Sequence, residues 1–553
     1  MSTRIGPWLQ WLALGAICAL GLWLRLKNND YGLPYVYNVD EGSHFTARAV
    51  AMFGGDANPG YFQNPSGLTY ILYAALKLFI EDVPGKFGED PSGIYDLTRS
   101  VTALIGVVGV VGVFIAARRI WDAWAGVAAA ALICFAFLSV AYGRIAVTDV
   151  GTLFPVAVAL LAAVRVYETG GRHWYFLGGA MAGLAVGFKY TAGLVLLPLI
   201  VAALVRARAN KRELFDLLGA FAMAVLAFFI TTPYLFFDFE TAERQIRGQA
   251  ETAGEFEKLG QEGDFGPLYY LDSLGWGFGI AATIAAVVGA VLEFRRDRIR
   301  ALILVIFPVA AFVYLAFQSR YFGRWLLPAY PALALLGGYA IARAAALVPE
   351  RRLILRGLAF AALLAVVLIQ PVAADVRTAK LLGREDTRNV ARKYLAEIYP
   401  RSTRAVIEPA VPGRWYRLAT RGGNIHPSRK QFVRGFIKEN RESRMDYGRT
   451  ITPETIDEYR RLGFCVVVTM SVIRGRSEKD GLEPALAYYR RLERESKLLG
   501  VFSPYDKGAE PPEFHFDHSY NYYPTEFARP GPEVRIYRLR DCKQKKGPLG
   551  SYR

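Results

Sequence analysis

Histidine and cysteine are scarce in this chain, at five and four among 553 residues. The cysteines stand at 18, 134, 465 and 542, with no CxxC and no Cys/His cluster, so no stretch has the spacing of a zinc site. Cys18 and Cys134 fall in apolar runs, where a small apolar side chain needs no further role. Cys465 and Cys542 lie in a polar region, and their spacing leaves open whether they meet. No small-residue cleavage site follows the first apolar run, Pro7 to Leu24, which reads as a retained helix and not a removed signal peptide. Low-complexity tracts and a clear internal repeat are also missing. Charge is sparse at 21%, against 53% hydrophobic residues, too apolar a balance for an ordinary soluble protein of this length.

What is present is a series of runs near the roughly 20 apolar residues that cross a bilayer. They fall at about 7–26, 98–117, 123–141, 151–167, 174–188, 190–205, 214–235, 274–293, 299–317, 325–347 and 353–373, about eleven in all. The basic clusters at Arg118-Arg119, Arg172, Arg206 to Arg212, Arg295 to Arg300 and Arg351-Arg352 fall in alternate connections. Placing them together on the cytoplasmic side leaves 27–97, 142–150, Lys189-Tyr190, 236–273, 318–323 and the tail on the outer side. That alternation requires Gly67 to Ile80, interrupted by Lys77, to lie on the outer face as an amphipathic helix.

From about residue 376 the pattern changes. This tail carries 36 Lys and Arg against 22 Asp and Glu, so +14 of the formal +17 lies there. Such an excess suits anionic lipid headgroups or phosphates, or is the ordinary solvated surface of an Arg-rich domain. Nothing points to nucleic acid. Asp386 to Ile398 reads as an amphipathic helix capped by Asp or Thr, Arg404 to Ile407 and Phe464 to Thr469 as buried strands. Pro484 to Leu498 reads as a second helix and Glu533 to Leu539 as a closing strand. The expected architecture is a polytopic α-helical membrane domain over 1–375, with juxtamembrane helices on its outer face, and a soluble α/β domain over 376–553.

On this topology the unusual polar residues collect on one side. Asp40 and Glu41 follow the first span, with His44 three residues on; Arg144 and Asp149 occupy the second outer turn; Lys189-Tyr190 and Arg320-Tyr321 occupy two more. A single cation at a helix end can snorkel to the interface. An acid such as Asp149, opening a 17-residue apolar run, has no such excuse. Three carboxylates and three cations on one face suggest acid–base chemistry on an anionic ligand.

These residues sit in an ordered series: VDEGSHFTARAVAMF, NPSGLTYILYAALKLF, YGRIAVTDVGTLF, GLAVGFKYTAG, TTPYLFFDF and SRYFGRWLLPAYP. The series resembles the GT-C superfamily of polytopic glycosyltransferases, in its protein O-mannosyltransferase and aminoarabinose transferase branch. The absence of WWDxG sets it apart from the oligosaccharyltransferase branch. The resemblance implies transfer of a hexosyl or pentosyl group from a polyprenyl-phosphate donor to a hydroxyl of a glycan, lipid or protein. It places the chain in a bacterial plasma (inner) membrane, among membrane lipids, with the site and the tail extracytoplasmic. It implies Asp40 as general base, with Glu41 the alternative base or its partner, Asp149 orienting the acceptor or the base, and Lys189, Arg320 and Arg144 on the phosphate. Tyr190 and Tyr321 would bond the phosphate or stack on the sugar, and His44 would stand beside the donor or brace the loop. One carboxylate acting as base gives inversion at the anomeric carbon. No cofactor is expected to be required, although Asp40, Glu41 and Asp149 are of a kind to hold Mg²⁺ or Mn²⁺. The rival reading is a polytopic transporter of a lipid-linked or anionic substrate, but transporters place charges near the midplane and are often built from repeats.

Overall fold

The computed structural model describes residues 7–399, 403–415, 447–518 and 523–544. The chain folds as two compact units. The first comprises Met1–Asn29, Ser43–Gly254 and Phe265–Arg377; the second comprises Asp30–Gly42, Glu255–Asp264 and Thr378–Arg553. Two segments interrupting the membrane part therefore belong, structurally, with the C-terminal region.

The first unit is helical. Among the described residues nine helices are long and apolar enough to cross a membrane, from Trp8–Leu26 to the stretch that starts at Glu350. The chain is an integral membrane protein. The sequence pattern leads one to expect about eleven spans, and the difference lies in two of them. The 123–141 run breaks at Ala136, whose extended backbone divides Ala123–Phe135 from Phe137–Ala141. The 174–188 run forms Arg172–Val186, 15 residues, only about 22 Å of helix. Both lie inside the bundle. Ala123–Phe135 packs against Ser92–Ile120 and Tyr330–Ala345, and Arg172–Val186 against Leu153–Thr169 and Glu213–Thr231. Close approach of the last pair depends on Gly179 and Gly183, where a Cβ would strike the backbone of Ala220 and Ala224.

Gly67–Phe79 is a 13-residue helix, too short to span. It buries Leu68, Leu72 and Leu76 on one face and exposes Leu78 and Phe79, as an interfacial helix does. Its first N–H donates to the Gly187 carbonyl at 3.0 Å.

The alternate turns gather as the basic clusters imply. At one end Arg300 bonds Glu293 and pairs with Glu168, and the Trp121 indole donates to Glu293 at 2.8 Å. At the same end Arg206 and Tyr175 both reach Glu213, at 3.1 and 2.8 Å, and Arg172 pairs with Asp216. These networks satisfy acids that would otherwise be costly beside apolar helices.

The second unit holds a four-stranded sheet: β1 (Ala405–Ile407), β2 (Val466–Met470), β3 (Ser496–Phe502) and β4 (Val534–Leu539), in the order β1-β2-β4-β3. β1 and β2 are parallel; β4 is antiparallel to both neighbours. Alternation of side chains makes two cores. Ala405, Ile407, Val466, Val468 and Ile536 face helix Thr387–Ile398, while Val406, Val467, Tyr537 and Leu539 face helices Thr455–Leu462 and Glu483–Glu495. Tyr35, from the segment after the first span, is part of the first core. Residues 496–498, read from the sequence as the end of a helix, instead begin β3, because Ser496 to Phe502 finds β4 as a partner. Cys465 and Cys542 form a disulfide, tying the start of β2 to the chain just beyond β4.

Candidate active site

Asp40 and Glu41 belong to the second unit and stand in the first turn of a helical stretch running from Val39 to Ala51. Asn38 is its cap: the Asn38 side chain accepts the Glu41 N–H at 3.0 Å, and its carbonyl accepts from Gly42. The N-terminal end of a helix favours negative charge. Residues Glu41–Phe45 take π-helical geometry, a local widening that often accompanies function. Glu41 is fully buried, whereas Asp40 is only half-buried. Of the two acids, Asp40 is the more exposed.

The remaining residues belong to the first unit. Asp149 opens a 3₁₀ turn ahead of Leu153–Thr169, where the chain leaves the tight YGRIAVT turn. Lys189, in extended backbone between two helices, donates to Asp149 at 2.5 Å, and both side chains are buried. Lys189 also lies 3.5 Å from the carbonyl of Arg324. Tyr190 donates to the Phe62 carbonyl at 2.9 Å, and Phe62 N–H donates to Gln245. The Tyr190 hydroxyl thus ties the 58–66 loop to the Lys189 turn. His44 stacks on Tyr61, with ring centroids 4.6 Å apart and planes 6° from parallel. Arg320 is buried, and Tyr321 packs against Tyr269 and Tyr270. Arg324 lies over the rings of Tyr142 and Phe322. The structure therefore brings Asp149 and Lys189 together, with the Arg324 carbonyl beside the ammonium, and buries the cations Arg144 and Arg320 in other turns of the same unit.

Two further ionic residues escaped the sequence reading. Arg25, at the end of the first span, donates to Gly21 and Cys134 carbonyls and to the Ser139 hydroxyl, under Gly143. Asp375, beyond the kink residue Pro371, is fully buried, and the charges that act on it are those of Arg144 and Arg25. Each reads in sequence as an ordinary charge at a helix end. The usable signal was an acid, Asp375, on an apolar helix. The 236–273 stretch, read from the sequence as an outer connection, is largely helical, as Phe239–Glu255 and Gly266–Leu274.

Among the described residues no group of three or more His, Cys, Asp or Glu is arranged to hold a metal ion. Asp149 already has Lys189 against it, and a divalent ion there would have to displace that ammonium. What the first unit offers is buried, fixed positive charge, one cation of it paired with Asp149, an arrangement suited to a phosphate whose charge grows during reaction.

Comparison with known proteins gives three results. A family model of dolichyl-phosphate-mannose-protein mannosyltransferases matches residues 96–237. Searched by sequence, the curated proteins contain no match. Among solved structures, ArnT from Cupriavidus metallidurans bound to undecaprenyl phosphate is similar over 99% of this chain and 100% of its own, at 15% identity and a TM-score of 0.51. The oligosaccharyltransferase of Archaeoglobus fulgidus in its apo form is similar over 96% of this chain and 76% of its own, at 14% identity and a TM-score of 0.56. The archaeal oligosaccharyltransferase AglB from the same organism, in complex with an inhibitory peptide and a dolichol-phosphate, covers 91% and 74%, at 16% identity and 0.56. This chain has the GT-C fold, the fold of the polytopic membrane glycosyltransferases.

Proposed function

We propose that the protein is a glycosyltransferase that moves a hexosyl or pentosyl group from a polyprenyl-phosphate donor to an acceptor hydroxyl, with inversion, on the extracytoplasmic face of the plasma membrane. The observation that carries this reading is the buried Asp149–Lys189 pair at 2.5 Å, in a GT-C fold whose first unit also buries the cations Arg144 and Arg320. Two neighbours of that fold were solved with polyprenyl phosphates bound.

The chemistry follows from charge. The donor phosphodiester carries one negative charge; as the anomeric carbon–oxygen bond breaks, the departing polyprenyl monophosphate acquires a second. Cations fixed before the reaction bind that developing charge more strongly than the ground state, and so accelerate the step. Lys189, Arg320 and Arg144 take this role, with Asp149 holding the Lys189 ammonium. Tyr321 and Tyr190 shape the sugar and phosphate positions. On the acceptor side the hydroxyl loses its proton to Asp40 as its oxygen bonds to the anomeric carbon. Glu41, buried behind it, shapes the turn. The acceptor hydroxyl belongs to a glycan, a lipid or a protein. The Cys465–Cys542 disulfide supports the outward orientation, since such bonds persist in oxidising compartments.

Replacing Asp40 by Asn is expected to lower kcat by roughly 10²- to 10⁴-fold, at unchanged membrane abundance. A comparison of polyprenyl-phosphate sugars in a deletion strain would name the donor, by the species that accumulates. Substrate uptake lost with glycans intact would favour the transporter instead. Retention at the anomeric carbon, read by NMR of the product, would sink the single-base mechanism.

A further inference from the structure

Segment 30–42 is covalently part of the first outer loop, yet its tyrosines are built into the C-terminal unit. Tyr35 is buried in the core formed by Ala391, Leu395, Trp415 and Val466, and the Arg392 guanidinium lies 5.0 Å from its ring centroid. Tyr37 is held more tightly. The Arg388 guanidinium stacks 3.5 Å from its ring centroid, and its hydroxyl donates to the Asn389 side chain. Arg388 is itself fixed: it bonds Asp386 through Nε at 2.9 Å and a terminal nitrogen at 2.7 Å, and donates to the Ala410 carbonyl at 3.1 Å. Asp386 also caps helix Thr387–Ile398, and Thr387 is tied to the carbonyls of Pro530 and Pro532, just ahead of β4. A continuous line of bonds runs from the sheet to Tyr37. The next residue, Asn38, caps the helical turn that carries Asp40 and Glu41.

We propose that the C-terminal unit is a clamp that sets the position of the Asp40–Glu41 pair, with Tyr37 and Arg388 as positioning residues for the transfer reaction. The proposal rests on the reading of Asp40 as the base. A planar guanidinium stacked on a ring and locked bidentately by a carboxylate defines one geometry for Tyr37; a flexible ammonium would not. A base within one helical turn of that anchor inherits its precision, and displacement of a reacting group by about 1 Å can cost about 100-fold in rate. The same unit holds a second segment of the outer loops. Asp480 accepts the Gly260 N–H, Lys479 pairs with Asp264 at 2.9 Å, and Arg449 pairs with Glu262.

The test uses the full-length chain in liposomes, with two readouts. Hydrogen exchange follows the amides of residues 39–45 and, as a control for the fold of the C-terminal unit, those of Val466–Met470. Turnover is read as free polyprenyl phosphate released from a lipid extract of the native membrane. In Tyr37→Ala and Arg388→Gln the 39–45 amides are expected to exchange about tenfold faster while 466–470 stay protected. In the same variants kcat falls roughly 10- to 100-fold with KM within about threefold, and Arg388→Lys recovers only part of it. Unchanged protection of 39–45 in both variants overturns the clamp, whatever happens to turnover. Should Tyr37→Ala also strip protection from 466–470, Tyr37→Phe decides, because it removes only the bond to Asn389: exchange at 39–45 at least about twofold faster supports the clamp, and no change overturns it. Normal turnover in Asp40→Asn sinks the base assignment instead, and leaves the exchange result readable on its own.

Discussion

Lys189 and Asp149 show how much one ion pair inside the membrane part must do. Each would be costly alone among apolar helices, and each is tolerable because the other lies at 2.5 Å. Lys189→Met removes the cation that neutralises a buried carboxylate, and is expected to cost roughly 3–5 kcal/mol of stability. Adding Asp149→Asn should recover most of that loss, measured as thermal stability of the detergent-solubilised protein. Turnover should stay at least about 100-fold down, because the charge that meets the leaving phosphate is still missing. A double variant with normal turnover would reduce the pair to a structural device. Glu408 poses the opposite case in the soluble unit. Burial pushes its carboxyl up to about 8, against the Tyr489 hydroxyl and Met470 N–H that donate to it and the charge of Arg474. An unfolded chain loses this proton near the ordinary value of 4.5, the folded one only near 8. The folded state therefore holds more protons across that window, and its stability falls as pH rises from about 4.5 to 8, by on the order of 5 kcal/mol at most. Protection of the Val466–Met470 amides between pH 5 and 8, corrected for intrinsic exchange, should follow this slope, and Glu408→Gln should flatten it.

At the scale of elements, the helix pair Arg172–Val186 and Glu213–Thr231 depends on two absent side chains. Gly183→Val would drive its branched Cβ into the Ala224 backbone and is expected to destabilise the bundle by about 1–3 kcal/mol, read by heat-induced aggregation of the solubilised protein, while Gly15→Ala, whose Cβ would meet open space, should be nearly silent. Elements are also where the sequence was most and least readable. The basic connections alternate only if Gly67 to Ile80 does not cross, so that helix was legible as a non-spanning one, and Leu68, Leu72 and Leu76 form its buried face. Asp149 was legible for a similar reason, as an acid opening an apolar run. Arg25 and Asp375 were not, because a charge at the end of a span looks the same whether it snorkels or turns inward. Ser496 to Leu498 continued a helical pattern locally and became the start of a strand only because β4, more than thirty residues on, offered its hydrogen bonds. Tyr35 and Tyr37 carried no local signal at all, since their partners lie some 350 residues away.

For the molecule as a whole, the two units are not two consecutive lengths of chain. The second gathers residues 30–42, 255–264 and everything described from Thr378 on, and a disulfide then joins Cys465 to Cys542. Such interleaving has a cost in time. Synthesis proceeds at roughly 5–20 residues per second, so Tyr35 and Tyr37 emerge on the order of 20 to 90 seconds before Arg388, Trp415 and Val466 exist to receive them. For that interval two aromatic residues beside the acid pair have no core to enter. The second unit can therefore complete its core only after β4 has been made, and the turn that carries Asp40 acquires its anchor only when most of the chain exists.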